Sequence, residues 1–333
     1  MTTRTMLMVL AAALAAGCVT HFHDTPPPAM TLAGKPGHYT VTPNCVFTPP
    51  DWPAELQADI YTPAGAGPFP AVLVVHGGGW FQGSREEMNH IARALARRGF
   101  VAVNIDYRLA PQWRHPAPVD DLRAALHFMQ QQAGPLQIDA SRIGVWGYSA
   151  GAQLAALVAA TGAESHSVQA AVLGAMPADL VRGGEENNPF IQRYIGQAYV
   201  DAPDLYREAS PSEHVSPALP PVFLYNGTWD QIVNPHNTRD IHLKLSEAGV
   251  PNEWFVMHGY GHVTAFMFDG SAVDAGLAFL ERRMSRPELL ASRERRAASF
   301  AAAEFGAATG ASAAGVAPGV ESSDSPARVG MMP

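Results

Sequence analysis

The sequence predicts an α/β protein built on a doubly wound, mostly parallel sheet. Three observations predict it. Between about residues 34 and 283, short and continuously apolar runs alternate with segments whose apolar residues recur at helical spacing. The runs are too short for helices and are punctuated by Pro and Gly, as strands buried on both faces are. Of the 333 residues, 47% are apolar and 16% charged, which supplies a large core and excludes a disordered chain.

Taken in order, Ala71-Val72-Leu73-Val74-Val75 lies between Pro70 and a glycine cluster and reads as a buried strand. Residues 85–98 put Met88, Ile91, Ala92 and Leu95 on one helical face, and Gly99 stands where a helix-ending glycine belongs. A strand over 100–105, a helix over 118–132, a strand over 143–146, a helix over 150–160 and a strand over 170–175 continue the alternation. Residues 177–221 break it with scattered prolines and charges, and this lid-like insertion exceeds an ordinary connection. A strand over 222–225, a helix over 236–248, a strand over 253–257 and a helix over 272–283 complete the sheet. The domain therefore spans 37–284.

Both ends differ from this body. Arg4 and the apolar run Met6 to Ala16 have the pattern of a signal peptide, and the run is too short to cross a bilayer, which needs about 20 residues. Leu14-Ala15-Ala16-Gly17-Cys18 resembles the bacterial lipobox, which implies removal of residues 1–17 and acylation of Cys18. Residues 18–36, with Thr25-Pro26-Pro27-Pro28, then read as a lipid-anchored linker. The expected location is the cell envelope, with simple secretion the alternative. Residues 285–333 are Ala/Gly/Ser-rich and read as a disordered tail. The two cysteines, Cys18 and Cys45, are too few for a disulfide framework, and a net charge of −8 excludes a basic nucleic-acid binder.

Chemistry gathers at strand ends. Gly147-Tyr148-Ser149-Ala150-Gly151 stands where a strand turns into a helix, a G-x-S-x-G pattern that lifts a serine hydroxyl above a sheet. His76-Gly77-Gly78-Gly79-Trp80 follows the first strand with backbone N–H groups suited to an oxyanion, and Ala150 N–H adds a further donor. Neither a following Lys-Ser/Thr nor the spaced glycines of a dinucleotide loop is present, so a phosphate loop is disfavoured. His76 reads as a brace for the loop. Asp230 and His262 follow the ends of the last two strands, giving the order Ser, Asp, His, with His262 expected on a glycine-flanked loop and His258, which abuts the strand, the competing base. Asp106 also follows a strand, with Arg108 or a loop amide as its expected partner. No H-E-x-x-H occurs, and His21-x-His23 lies in the expected linker, so no metal and no cofactor is expected.

These residues resemble the α/β-hydrolase superfamily, specifically carboxylesterases with an HGGG loop, related to hormone-sensitive lipase, bacterial feruloyl esterases and kynurenine formamidase. The resemblance runs from Leu56 to His262. It includes Asp106-Tyr107-Arg108-Leu109-Ala110-Pro111, Pro118 and Asp120-Asp121, the last two with Arg108 as framework positions. Tyr148 stands where many hormone-sensitive-lipase relatives carry an acid, which leans towards the feruloyl esterase and formamidase branches. The resemblance implies an α/β-hydrolase fold, Ser149, His262 and Asp230 as a triad, and Gly78, Gly79 and Ala150 as the oxyanion hole. A small-molecule ester is the expected substrate, with Trp80, Phe81, Tyr148 and the 177–221 insertion beside it, while Trp113 and Trp229 fit either pocket or core. Amide or formamide hydrolysis is the second enzymatic reading, and a non-catalytic ligand-binding lipoprotein is the reading from another class.

Overall fold

A computed structural model describes residues 19–23 and 37–284. Cys18, the signal segment and residues 285–333 lie outside the described residues. Among the described residues nine strands form one sheet: β1 (Val19–Phe22), β2 (Tyr39–Val46), β3 (Gln57–Pro63), β4 (Phe69–Val75), β5 (Val101–Ile105), β6 (Ile138–Tyr148), β7 (Val168–Gly174), β8 (Val222–Gly227) and β9 (Asn252–Met257). Their order is β1-β9-β8-β7-β6-β4-β5-β3-β2, parallel from β9 through β5 and antiparallel at β1, β3 and β2. This is the doubly wound α/β-hydrolase arrangement.

Helices cover both faces: α1 (Asn89–Arg97), α2 (Ala117–Gln131), α3 (Ala150–Ala160), α4 (Pro189–Ile195), α5 (Pro203–Glu208), α6 (His236–Glu247), α7 (His262–Met267) and α8 (Gly270–Met284). The pleat of β4 divides its side chains between two cores. Phe69, Ala71, Leu73 and Val75 pack with α2 and α3, while Val72 and Val74 pack with α1 and α8. Each fully buried side chain of this kind contributes roughly 1.5–3 kcal/mol through the water it leaves. Burial on both faces is why these strands read as unbroken apolar runs.

The structure corrects three expectations. Residues 19–22 are not linker. They pair antiparallel with β9 in the register Val19↔Met257 to Phe22↔Trp254. Phe22 stacks on Trp254 at 5.4 Å, and His21 Nε2 donates to the buried Glu253 carboxylate at 3.1 Å. Burial alone would raise Glu253, but hydrogen bonds from His21 and Arg282 hold its carboxyl below the ordinary value. Second, of the two partners expected for Asp106 it takes a backbone amide, that of Arg85 together with the Arg85 guanidinium, and not Arg108, which donates to the buried Asp121 at 2.8 Å. Third, His262 opens the short helix α7 and does not lie in a loop. The segment 177–221 folds as α4, α5 and shorter 3₁₀ turns between β7 and β8.

Candidate active site

β6 delivers Ser149 at its carboxyl end, and α3 begins with the next residue. Ser149 has φ 54° and ψ −123°, so the left-handed strain falls on the serine itself. The flanking glycines serve close approach. A Cβ on Gly147 would lie 2.3 Å from the Gly151 carbonyl oxygen, and one on Gly151 would lie 2.3 Å from the His76 carbonyl oxygen. The elbow is thereby wedged against the end of β4.

Two loops bring partners to Ser149. After β8, Asp230 is buried, and its Oδ1 accepts the N–H groups of Ile232 at 2.9 Å and Val233 at 2.8 Å. Its Oδ2 lies 2.7 Å from His262 Nδ1, and His262 Nε2 lies 2.9 Å from Ser149 Oγ. A carboxylate can only accept, so Nδ1 carries the proton and Nε2 is left to accept from the serine. Tyr148 Oη donates to the His262 carbonyl at 2.6 Å and ties the elbow to the start of α7. Burial pushes the Tyr148 hydroxyl well above its ordinary value, so it stays a donor. The competing base, His258, is turned away and hydrogen-bonds Thr20 Oγ1 at 2.9 Å.

The glycine loop lies alongside. His76 Nδ1 donates to the Gly77 carbonyl at 2.7 Å, and its ring stacks on Tyr107 at 4.3 Å. Burial pushes its pKa down to about 4, against the Gly77 carbonyl and the Asp106 charge, which act to raise it. His76 is therefore a neutral brace at neutral pH. Tyr107 Oη donates to the His76 and Gly77 carbonyls, fixing the same turn. Gly78 and Gly79 have φ of 106° and 60°, and a Cβ on Gly78 would fall 2.0 Å from the Gln82 carbonyl oxygen.

A cavity of about 270 Å³ opens over Ser149 and His262, lined also by Gly78 and Gly79. Of the side chains singled out for substrate, Phe81 and Tyr148 line it, and Trp80 contributes an edge. Trp80 is otherwise packed: its Nε1 donates to Gln153 and its ring stacks on Tyr194 at 4.7 Å. Trp229 is neither core nor pocket wall but 71% exposed, and half-buried Trp113 lies under the Arg108 guanidinium. The 177–221 insertion lines the cavity as expected, with Phe190 as its aromatic wall, while sequence reasoning missed Ile232, Val263 and Phe266. These follow Asp230 and His262 closely and needed the chain path. Among the described residues no group of three His, Cys, Asp or Glu side chains is placed to hold a metal.

The BD-FAE family model matches residues 58–245, more than half of the chain, including the glycine loop, the elbow and Asp230. The chain belongs to the BD-FAE family. Among curated proteins, this BD-FAE chain is 29% identical over 195 residues to esterase LipQ of Mycobacterium tuberculosis, covering 54% of this chain and 46% of LipQ. The chain spans about half the length of the curated relatives it matches. A solved esterase from Pyrobaculum calidifontis is 28% identical and superposes with a TM-score of 0.63 over 74% of this chain and 86% of its own. A truncated carbohydrate esterase from gut microbiota reaches a TM-score of 0.67 at 21% identity, over 79% of this chain and all of its own. That last likeness concerns the fold alone.

Proposed function

We propose that this BD-FAE chain hydrolyses carboxylic esters with Ser149 as nucleophile, His262 as base and acid, and Asp230 as the group that orients His262. The observation that carries the reading is the unbroken line of hydrogen bonds from Asp230 through His262 to Ser149 Oγ. Relatives and solved neighbours named as esterases support the reaction class.

As Ser149 Oγ bonds to the acyl carbon, its proton passes to His262 Nε2, and Asp230 stabilises the imidazolium. The carbonyl oxygen becomes an oxyanion facing the N–H groups of Gly78, Gly79 and Ala150. A well-placed donor of this kind is worth on the order of a hundredfold in rate. His262 then protonates the departing alkoxide, which leaves as the alcohol, and the acyl group stays on Ser149. Water repeats the sequence: it loses a proton to His262, and collapse returns that proton to Ser149 and frees the acid. Every proton is carried by His262, so no cofactor is required.

The cavity, walled by Phe81, Phe190 and Phe266, suits a small or aromatic acyl group. The lipobox-like Leu14 to Cys18 supports export and anchoring through an acylated Cys18. Ser149→Ala tests the chemistry. It should abolish hydrolysis of a short p-nitrophenyl acyl ester while leaving thermal unfolding unchanged, and retained turnover would refute the assignment.

A further inference from the structure

Two independent features lie at the carboxyl edge of the sheet, the edge on which the cavity opens. The first is where the chain enters the fold. β1 runs antiparallel to β9 with Val19 opposite Met257, so it begins at the carboxyl edge of the sheet, where the segment leading to His262 also begins. Thr20 Oγ1 lies 2.9 Å from His258 Nε2. Cys18 is the residue before Val19 in the sequence, so an anchor at Cys18 would tether the chain at this carboxyl edge of the sheet.

The second feature is the surface there. Trp229, Met267, Phe268, Val263 and Ile232 are 71%, 65%, 62%, 56% and 46% exposed. Val263 and Met267 stand one turn apart on α7, and the two segments are tied by Trp229 N–H to the Tyr260 carbonyl at 2.9 Å. Val263 and Ile232 also line the cavity, so this ridge is part of its rim. From Trp254 to Val273 the only Asp, Glu, Lys or Arg is Asp269, and from Asn226 to Thr238 it is Asp230. Both are buried. Exposed Glu87 also lines the cavity and exposed His90 pairs with Asp269, but the two stretches that carry the ridge have no exposed Asp, Glu, Lys or Arg of their own, so their apolar side chains can enter a bilayer interface without stripping water from a charge on the same stretch, and tryptophan favours that depth.

We infer that this ridge docks on a lipid surface, with Trp229, Met267 and Phe268 entering the interface, and that the site takes esters partitioned into that surface. The inference rests on the anchor reading for its orientation and on the esterase reading for its substrate. A lipid surface is the occupant because the chain carrying Cys18 enters at this same edge. With no basic side chain on the ridge, docking is apolar and does not depend on anionic lipid.

Trp229 reports on it directly, being the one exposed tryptophan of the six. The full chain is mixed with phosphatidylcholine vesicles brominated near the glycerol end of the acyl chains. Trp229 emission, taken as the difference between the chain and its Trp229→Phe variant, should be quenched, and ~1 M sodium chloride should not reverse it. Met267→Asp with Phe268→Asp should lower turnover of a vesicle-borne ester about tenfold, because the interface does not solvate the new charges. The same pair should leave turnover of a dissolved short ester unchanged, which also checks the fold. Unquenched Trp229, or equal loss on both esters, overturns the inference. So does a vesicle-free dimer that shields Trp229 from acrylamide, which would assign the ridge to a second copy. Intact mass separates the parts: an acylated chain with unquenched Trp229 refutes the docking face and spares the anchor. Absent turnover of the dissolved ester by the unmodified chain refutes the esterase reading instead.

Discussion

Asp230→Asn isolates the role of the carboxylate because the structure dictates how the amide must sit. Asp230 Oδ1 accepts two backbone N–H groups, from Ile232 and Val233, and only Oδ2 faces His262 Nδ1. An asparagine that keeps its oxygen on the two amides points its NH₂ at Nδ1. The opposite flip would set NH₂ against two N–H donors in a buried site. Each donor left unsatisfied there costs roughly 1–3 kcal/mol, so the first orientation wins by several kcal/mol. His262 must then accept at Nδ1 and carry its proton on Nε2, where it can no longer take the proton of Ser149. In a serine protease the same exchange lowers kcat by ~10⁴, about 5.4 kcal/mol of barrier, and a similar loss is expected here. The assay is steady-state hydrolysis of a p-nitrophenyl acyl ester, with KM expected to change little and thermal unfolding to stay near the parent. A loss under about tenfold would refute the tautomer argument.

Tyr148→Phe removes the hydrogen bond to the His262 carbonyl, worth about 1 kcal/mol, and should lower kcat about fivefold with the pH profile otherwise retained. His76 gives a pH dependence of stability. Its folded pKa of about 4 lies below the unfolded value of 6.5, so between those values the unfolded chain takes up the proton and the folded chain does not. Stability is then lost as pH falls from 6.5 towards 4. Urea unfolding at pH 7 and pH 5 should show His76→Asn lacking about 2 kcal/mol of the parent's decline, and an equal decline would contradict the reading. Asp121→Ala leaves the buried Arg108 guanidinium without its carboxylate and should cost roughly 3–5 kcal/mol in denaturant unfolding. A cost under about 1 kcal/mol would show that the pair is not isolated from water.

The parallel centre of the sheet was legible because burial on both faces leaves its mark on consecutive residues, as in Val72, Leu73 and Val74. The antiparallel margins were not. β2 is largely exposed and has no apolar run, and β1 is four residues long with its partner on β9 near the far end of the domain. Such pairing is a property of the folded chain and not of a local pattern. Ser149, Asp230 and His262 stood out because each follows a recognisable strand, and the three are hydrogen-bonded together in the structure. The walls that follow Asp230 and His262 were hidden, since Ile232, Val263 and Phe266 reach the cavity only through the path of the folded chain. The partner of Asp106 was hidden for the same reason. Arg108 is nearer in sequence, but Asp121 engages its side chain and its backbone N–H, leaving Arg85 to reach Asp106.

The most direct measurement is covalent labelling by a fluorophosphonate, which reacts with a serine only when a base withdraws its proton. The expected result is one phosphonyl group per chain, found by peptide mass on Ser149, absent from Ser149→Ala and slowed by several orders of magnitude in His262→Ala. Label on another residue, or equal labelling of the Ser149→Ala chain, would contradict Ser149 as the nucleophile.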